Sequence, residues 1–130
     1  MKTYTSREVS AITGLSIPTL RYYESIGLLD SVQRADNSHR RYSDDDLRRI
    51  EFLKRVRATG MSISEMGRYV DLFRAGDETL AQRLDVLLAH RQRVQAQMDA
   101  LADTLDFLDA KIARYHDLQA QQAAMPEAAS

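Results

Sequence analysis

Apolar residues recur along the chain in two rhythms, and the change of rhythm divides it. Over residues 1–75 they form short helical stripes. Thr5, Ser6, Arg7 and Glu8 have the form of a capping box, a hydroxyl answered by a carboxylate three residues later. Val9 and Ile12 follow as the apolar stripe and Gly14 as the C-cap. Ser16 caps a second helix, with Pro18 in its first turn, where a missing N–H costs little. Leu20, Tyr23 and Ile26 carry its stripe to Gly27. Two short helices joined by a tight, Gly-containing turn predict a helix-turn-helix. Residues 28–42 lose the helical period. There Asp36, Asn37 and Ser38 make a turn cluster between 32–34 and 40–42, which predicts a small β-hairpin, a wing. Ser43 and Asp44 to Asp46 cap a third helix whose apolar residues are Leu47, Ile50, Phe52, Leu53 and Val56, ending at Gly60. Ser62, Ile63, Ser64 and Glu65 form another capping box. The fourth helix carries Met66, Tyr69, Val70 and Phe73 to Gly76.

Beyond residue 77 the spacing alternates between four and three. Leu80, Leu84, Leu87, Arg91, Val94, Met98, Leu101, Leu105, Leu108, Ile112 and Tyr115 make a heptad seam whose one charged member is Arg91. A helix carrying this seam would be about 55–60 Å long. It has one narrow apolar seam and no partner helix in the same chain, so a second subunit is the simplest partner. Residues 121–130, with Pro126, are expected to be a disordered tail.

Composition adds exclusions. The chain has 130 residues, 44% of them hydrophobic, and no cysteine, which removes disulfides, thiolate metal sites and thiol switches together. No apolar run reaches the roughly 18 residues of a membrane helix, and the first ten residues lack an apolar signal region; a cytoplasmic protein without a membrane partner is expected. The net charge of −1 conceals an asymmetry: residues 1–60 carry 11 Lys+Arg against 8 Asp+Glu, and residues 61–130 carry 7 against 11. A basic half suits a polyanion. Enzyme chemistry finds no support. Asp44 to Asp46 are explained by helix capping. His39, His90 and His116 lack metal-ligand spacing, and there is neither a phosphate cradle nor a nucleophile elbow. No metal and no cofactor is expected.

The stretch TYTSREVSAITGLSIPTLRYYESIGLL, followed by RRYSDDDLRRIEFLKRVRATGMSISEM, resembles the MerR family of bacterial transcriptional regulators over residues 3–75. The heptad helix falls where that family has its dimerisation helix. The fold expected is mainly α: a winged helix-turn-helix DNA-binding domain (1–75) followed by a long dimerisation helix (77–120) in an antiparallel coiled coil. In a helix-turn-helix the start of the second helix meets base edges in the major groove. Here that start is Ser16, Ile17, Pro18 and Thr19, with Arg21 one turn on, able to fork onto a guanine or clamp a phosphate. Spacing gives Tyr23 to the core and leaves Tyr22 free for a phosphate; the resemblance keeps both as DNA-facing candidates. His39, Arg40, Arg41 and Tyr42 are the wing candidates, with strand alternation putting Arg40 and Tyr42 on one face and Arg41 on the other. Arg48, Arg49, Lys54, Arg55 and Arg57 form a basic surface open to DNA, to solvent or to ion pairs with Asp44 to Asp46. The seam residues Leu84, Leu87, Val94, Met98, Leu101, Leu105, Leu108, Ile112 and Tyr115 are the dimerisation candidates.

The resemblance implies a homodimer on a pseudo-palindromic site in double-stranded promoter DNA. The dimer distorts an overlong spacer so that RNA polymerase finds its elements aligned, activating or repressing transcription. It also points to a short, aldehyde- or electrophile-responsive branch, whose sensing thiol in the third helix is replaced here by Arg55. A small-molecule effector, of unidentified chemistry, would have to bind elsewhere; a pocket between the fourth helix and the partner's coiled coil, near Tyr69, Phe73 and Leu84, is one candidate. The alternative is a structural coiled-coil protein with a vestigial DNA-binding head.

Overall fold

Four capped helices and a two-stranded ribbon precede one long helix in the computed structural model, which describes residues 2–30, the backbone of 33–34, and 40–125. Helix α1 (Ser6–Thr13) opens on the complete Thr5/Glu8 capping box and closes on Gly14, whose φ of 78° lies in the left-handed region that glycine enters without a Cβ penalty. Helix α2 (Ile17–Ser25) is capped by the Ser16 hydroxyl on the Thr19 N–H and has Pro18 in its first turn. Strands β1 (Gln33–Arg34) and β2 (Arg40–Arg41) pair antiparallel, Gln33 opposite Arg41 and Arg34 opposite Arg40. Tyr42 then bridges Tyr4, joining the ribbon to the N-terminus through two backbone bonds of 2.8 and 2.9 Å. Val32, the turn cluster 36–38 and His39 lie outside the described residues.

Helix α3 (Asp44–Ala58) has a second complete capping box, Ser43 with Asp46. Helix α4 (Ile63–Ala75) is capped by Ser62, but the expected box is half formed. Glu65 takes its bond from the Ser62 hydroxyl (3.3 Å) rather than from the backbone. A 3₁₀ turn (Asp77–Thr79) occupies what was expected to be the first turn of the long helix, and α5 runs over Leu80–Ala124. Its 45 residues make it about 67 Å long. The expected disorder at 121–124 is therefore corrected: glutamine and alanine are good helix formers, and no glycine or proline stops them before Pro126.

The chain divides into two compact units, Met1–His90 and Arg91–Ser130. The first is built round Val9, Leu20, Tyr23, Leu28, Ile50, Leu53, Met61, Met66 and Val70. It extends past residue 75 because Val86 joins this core and His90, also buried, bonds the Thr59 hydroxyl (2.8 Å) at the end of α3. Two stripe residues depart from expectation. Ile12 is 59% exposed and Ile26 is also exposed. In α1 the inward position goes to Thr13 instead, whose hydroxyl is satisfied by the Val9 carbonyl at 2.8 Å. In the second unit none of the described seam residues is buried, and Leu101 is 66% exposed.

Candidate nucleic-acid interface

The tight turn between α1 and α2 presents both helix N-termini to one side of the head. Thr13 Oγ1 accepts from the Leu15 N–H (3.2 Å), fixing the turn, and Ser16 and Thr19 share a hydroxyl contact of 2.9 Å. Ser16 and Pro18 are exposed, and Ile17 and Thr19 half-buried. A cleft of about 510 Å³ between this turn and the wing is lined by Thr5, Ser6, Arg7, Ile17, Arg21, Arg40 and Arg41. Four guanidinium groups and the first turns of two helices thus face one space. Helix N-termini carry partial positive charge and free N–H groups, so the cleft favours an anion, with Glu8 in the first turn of α1 and Glu24 beside Arg40 opposing it.

Not all four arginines are equally available. Arg40 Nε donates to Glu24 at 2.9 Å, and both side chains are largely covered, so it ties β2 to α2. Arg21 is exposed and Arg41 half-buried. Sequence reasoning missed Arg7, although a signal existed: a cation in a helix's first turn opposes the macrodipole and needs another reason to be there.

The two tyrosines separate. Tyr22 is 51% exposed, its ring 6.3 Å from that of Tyr23, which is core. Tyr23 and Tyr42 are corrected as DNA-facing candidates. Tyr42 is 1% exposed, with its hydroxyl buried and unpartnered, because the bridge to Tyr4 turns it inward. His39 lies outside the described residues. The basic surface of α3 resolves into pairs: Arg48 with Asp45, Arg49 with Asp30 (2.9 Å), Arg55 with Glu51 (2.7 Å), and Arg57 donating to the Met61 carbonyl (3.2 Å). Of these, only Arg48 uses the Asp44 to Asp46 cluster. Hydrogen bonding from Arg55 holds the Glu51 carboxyl below its ordinary range against an opposing effect of burial. Arg55 is thus an exposed, ion-paired cation.

Tyr69 and Phe73 line a second cleft with Phe52; Leu84 is not part of its lining and is exposed. Among the described residues no group of three His, Cys, Asp or Glu could hold a metal ion, and no helix is long and apolar enough to cross a membrane.

Comparison with known proteins agrees with this geometry. The model described as MerR HTH family regulatory protein matches residues 4–72, and that described as MerR, DNA binding matches 47–111. The chain belongs to the MerR family. It is 34% identical over 91% of its length to an uncharacterised helix-turn-helix-type regulator of Haemophilus influenzae, covering 87% of that protein. It is 41% identical to the regulator AdhR of Bacillus subtilis over 67% of its own length, spanning 62% of AdhR. Among solved structures it resembles HiNmlR, a MerR family regulator lacking the sensor domain, bound to promoter DNA: TM-score 0.87, 32% identity, 96% of this chain and 98% of that one. A putative MerR family regulator of Listeria monocytogenes gives a TM-score of 0.83 at 36% identity, with 92% of each chain covered. Like other MerR proteins the chain is a DNA-binding transcriptional regulator of the helix-turn-helix class and not an enzyme.

Proposed function

We propose that two copies, paired through the α5 seam as an antiparallel coiled coil, bind a pseudo-palindromic promoter site and distort its spacer for RNA polymerase. In this reading the head (1–75) binds DNA, 77–120 dimerises, and the protein works in the cytoplasm. The start of α2 enters the major groove with Ser16, Ile17, Pro18 and Thr19. Arg21 reads a base edge or grips a phosphate, and Tyr22, Arg41 and Arg7 hold phosphates on either side. One observation carries the reading: the two helix N-termini and the second wing strand bring Arg7, Arg21, Arg40 and Arg41 to one cleft. A head that had lost its function would have no need to keep that charge concentrated. The bound promoter DNA of HiNmlR, close in fold and in length, supports the same assignment.

Footprinting on the DNA upstream of the protein's own gene, with the spacer length read from the protected region, tests it. Protection of a spacer longer than the usual promoter spacing is expected. No protection, or protection of an ordinary spacer, removes the distortion mechanism. Arg21→Ala and Arg41→Ala should each flatten the log–log salt dependence of binding by about one unit, the loss of one phosphate contact.

A further inference from the structure

The second cleft, also about 510 Å³, shares no lining residue with the basic one. Its apolar wall is aromatic. Phe52 and Tyr69 stack with centroids 4.7 Å apart, and Phe73 beside them is 47% exposed. At its edge two guanidinium groups converge on one carboxylate. Arg49 Nη1 donates to Asp30 Oδ2 at 2.9 Å, while Arg74 Nε and Nη2 lie 3.0 and 2.8 Å from Oδ1. The Asp30 side chain is 59% exposed and sits just after α2, on the segment leading into the wing. The Arg49 and Arg74 side chains are more covered than the acid they hold, and a pair that solvent reaches from one side contributes modestly to folding. Two guanidinium groups closed on one solvent-facing acid beside partly exposed aromatic rings make an anion seat with an exchangeable occupant.

We propose that this cleft binds a small aromatic monocarboxylate. Its ring lies against Phe52, Tyr69 and Phe73, and its carboxylate takes the place of Asp30 between Arg49 and Arg74. The planar guanidinium fork matches a carboxylate, aromatic walls suit a flat ring, and the volume falls in the range of small-ligand pockets. A cationic ligand fits less well, because Arg49 and Arg83 already stand 4.9 and 5.4 Å from the Phe73 centroid and fill the cation–π positions. Asp45 and Asp46 line the same cleft, so a second negative charge is disfavoured. Asp30 is the internal competitor. Displacing it releases the root of the wing from α3 and α4, so occupancy is felt where the head grips DNA.

The test needs no DNA, so this inference and the promoter reading fail separately. Calorimetric titration and thermal unfolding of the full chain are run with phenylacetate, indole-3-acetate, benzylammonium and benzyl alcohol. The two acids are expected to bind saturably and raise Tm; the amine and the alcohol are expected to do neither. Asp30→Asn removes the competing charge and should bind both acids roughly tenfold more tightly, because more of the protein is then binding-competent. Arg49→Lys, which keeps the charge and loses the fork, should weaken them roughly tenfold. A gain of affinity in Asp30→Asn is a signal that misfolding does not produce. Absence of acid binding, an equal response to the amine or the alcohol, or unchanged or weaker binding by Asp30→Asn overturns the proposal.

Discussion

Tyr22 and Tyr23 are chemically identical neighbours with opposite fates, and the spacing of Tyr23 from Leu20 was enough to tell them apart. Tyr42 was not legible in this way. A strand of two residues alternates too briefly to show which face is inward, and the deciding contact, the bridge to Tyr4, joins positions far apart in sequence. Its buried hydroxyl has no partner among the described residues, so Tyr42→Phe should leave stability unchanged or raise it by up to about 1 kcal/mol. Urea unfolding measures this, and a loss of that size would reveal a partner for the hydroxyl. Asp30 illustrates a charge whose role depends on distant residues. Burial alone would raise its pKa, but hydrogen bonds and charge from Arg74 and Arg49 outweigh it and hold the carboxyl below its ordinary range. A depressed carboxyl contributes stability that is present above its unfolded pKa of about 3.9 and is lost as pH falls through the lower folded value. Asp30→Asn should therefore flatten the acid limb of Tm below about pH 4, and an unchanged limb would show that the pair contributes nothing there.

At the scale of elements the chain announced its own helices. Thr5, Ser16, Ser43 and Ser62 all cap as the pattern required, because a cap is a bond between residues three apart and needs no tertiary information. Ser43→Ala removes the hydroxyl from a complete box and should cost about 1 kcal/mol by thermal or urea unfolding. The Asp46 carboxylate would still hold the backbone at 43, so folding survives. What local pattern missed lay at junctions. The 3₁₀ turn before α5 forms because Thr79 Oγ1 reaches back to the Leu72 carbonyl at 2.6 Å, and Arg83 seals it with a 3.1 Å bond to the same hydroxyl. Neither contact has a sequence signature. The basic cleft was legible in part. Arg21, Arg40 and Arg41 stood out by motif, while Arg7 joins them only once the wing folds back towards α1.

The molecule as a whole carries an apolar seam that its own chain does not cover. From Met98 to Tyr115 the apolar seam side chains are exposed, on a helix too long and too narrow to bury them alone. Leu101→Asp should abolish pairing without disturbing the head. Sedimentation would report the monomer mass at concentrations where the unaltered chain is dimeric, circular dichroism would keep the signal of the folded head, and operator affinity would fall with the loss of the second half-site. A dimer surviving this change would place the interface elsewhere. The Arg40–Glu24 pair has a consequence of a different kind. Glu24 puts a negative charge on the very helix proposed to enter the groove, and it occupies a cation that could otherwise face DNA. The expected effect is a brake on indiscriminate adhesion: a stickier head would spend its time on the wrong stretches of the genome. Glu24→Gln should raise affinity for random-sequence DNA more than for the operator, and steepen the salt dependence by about one unit as Arg40 is freed. The regulator would hold DNA harder and find its target less well.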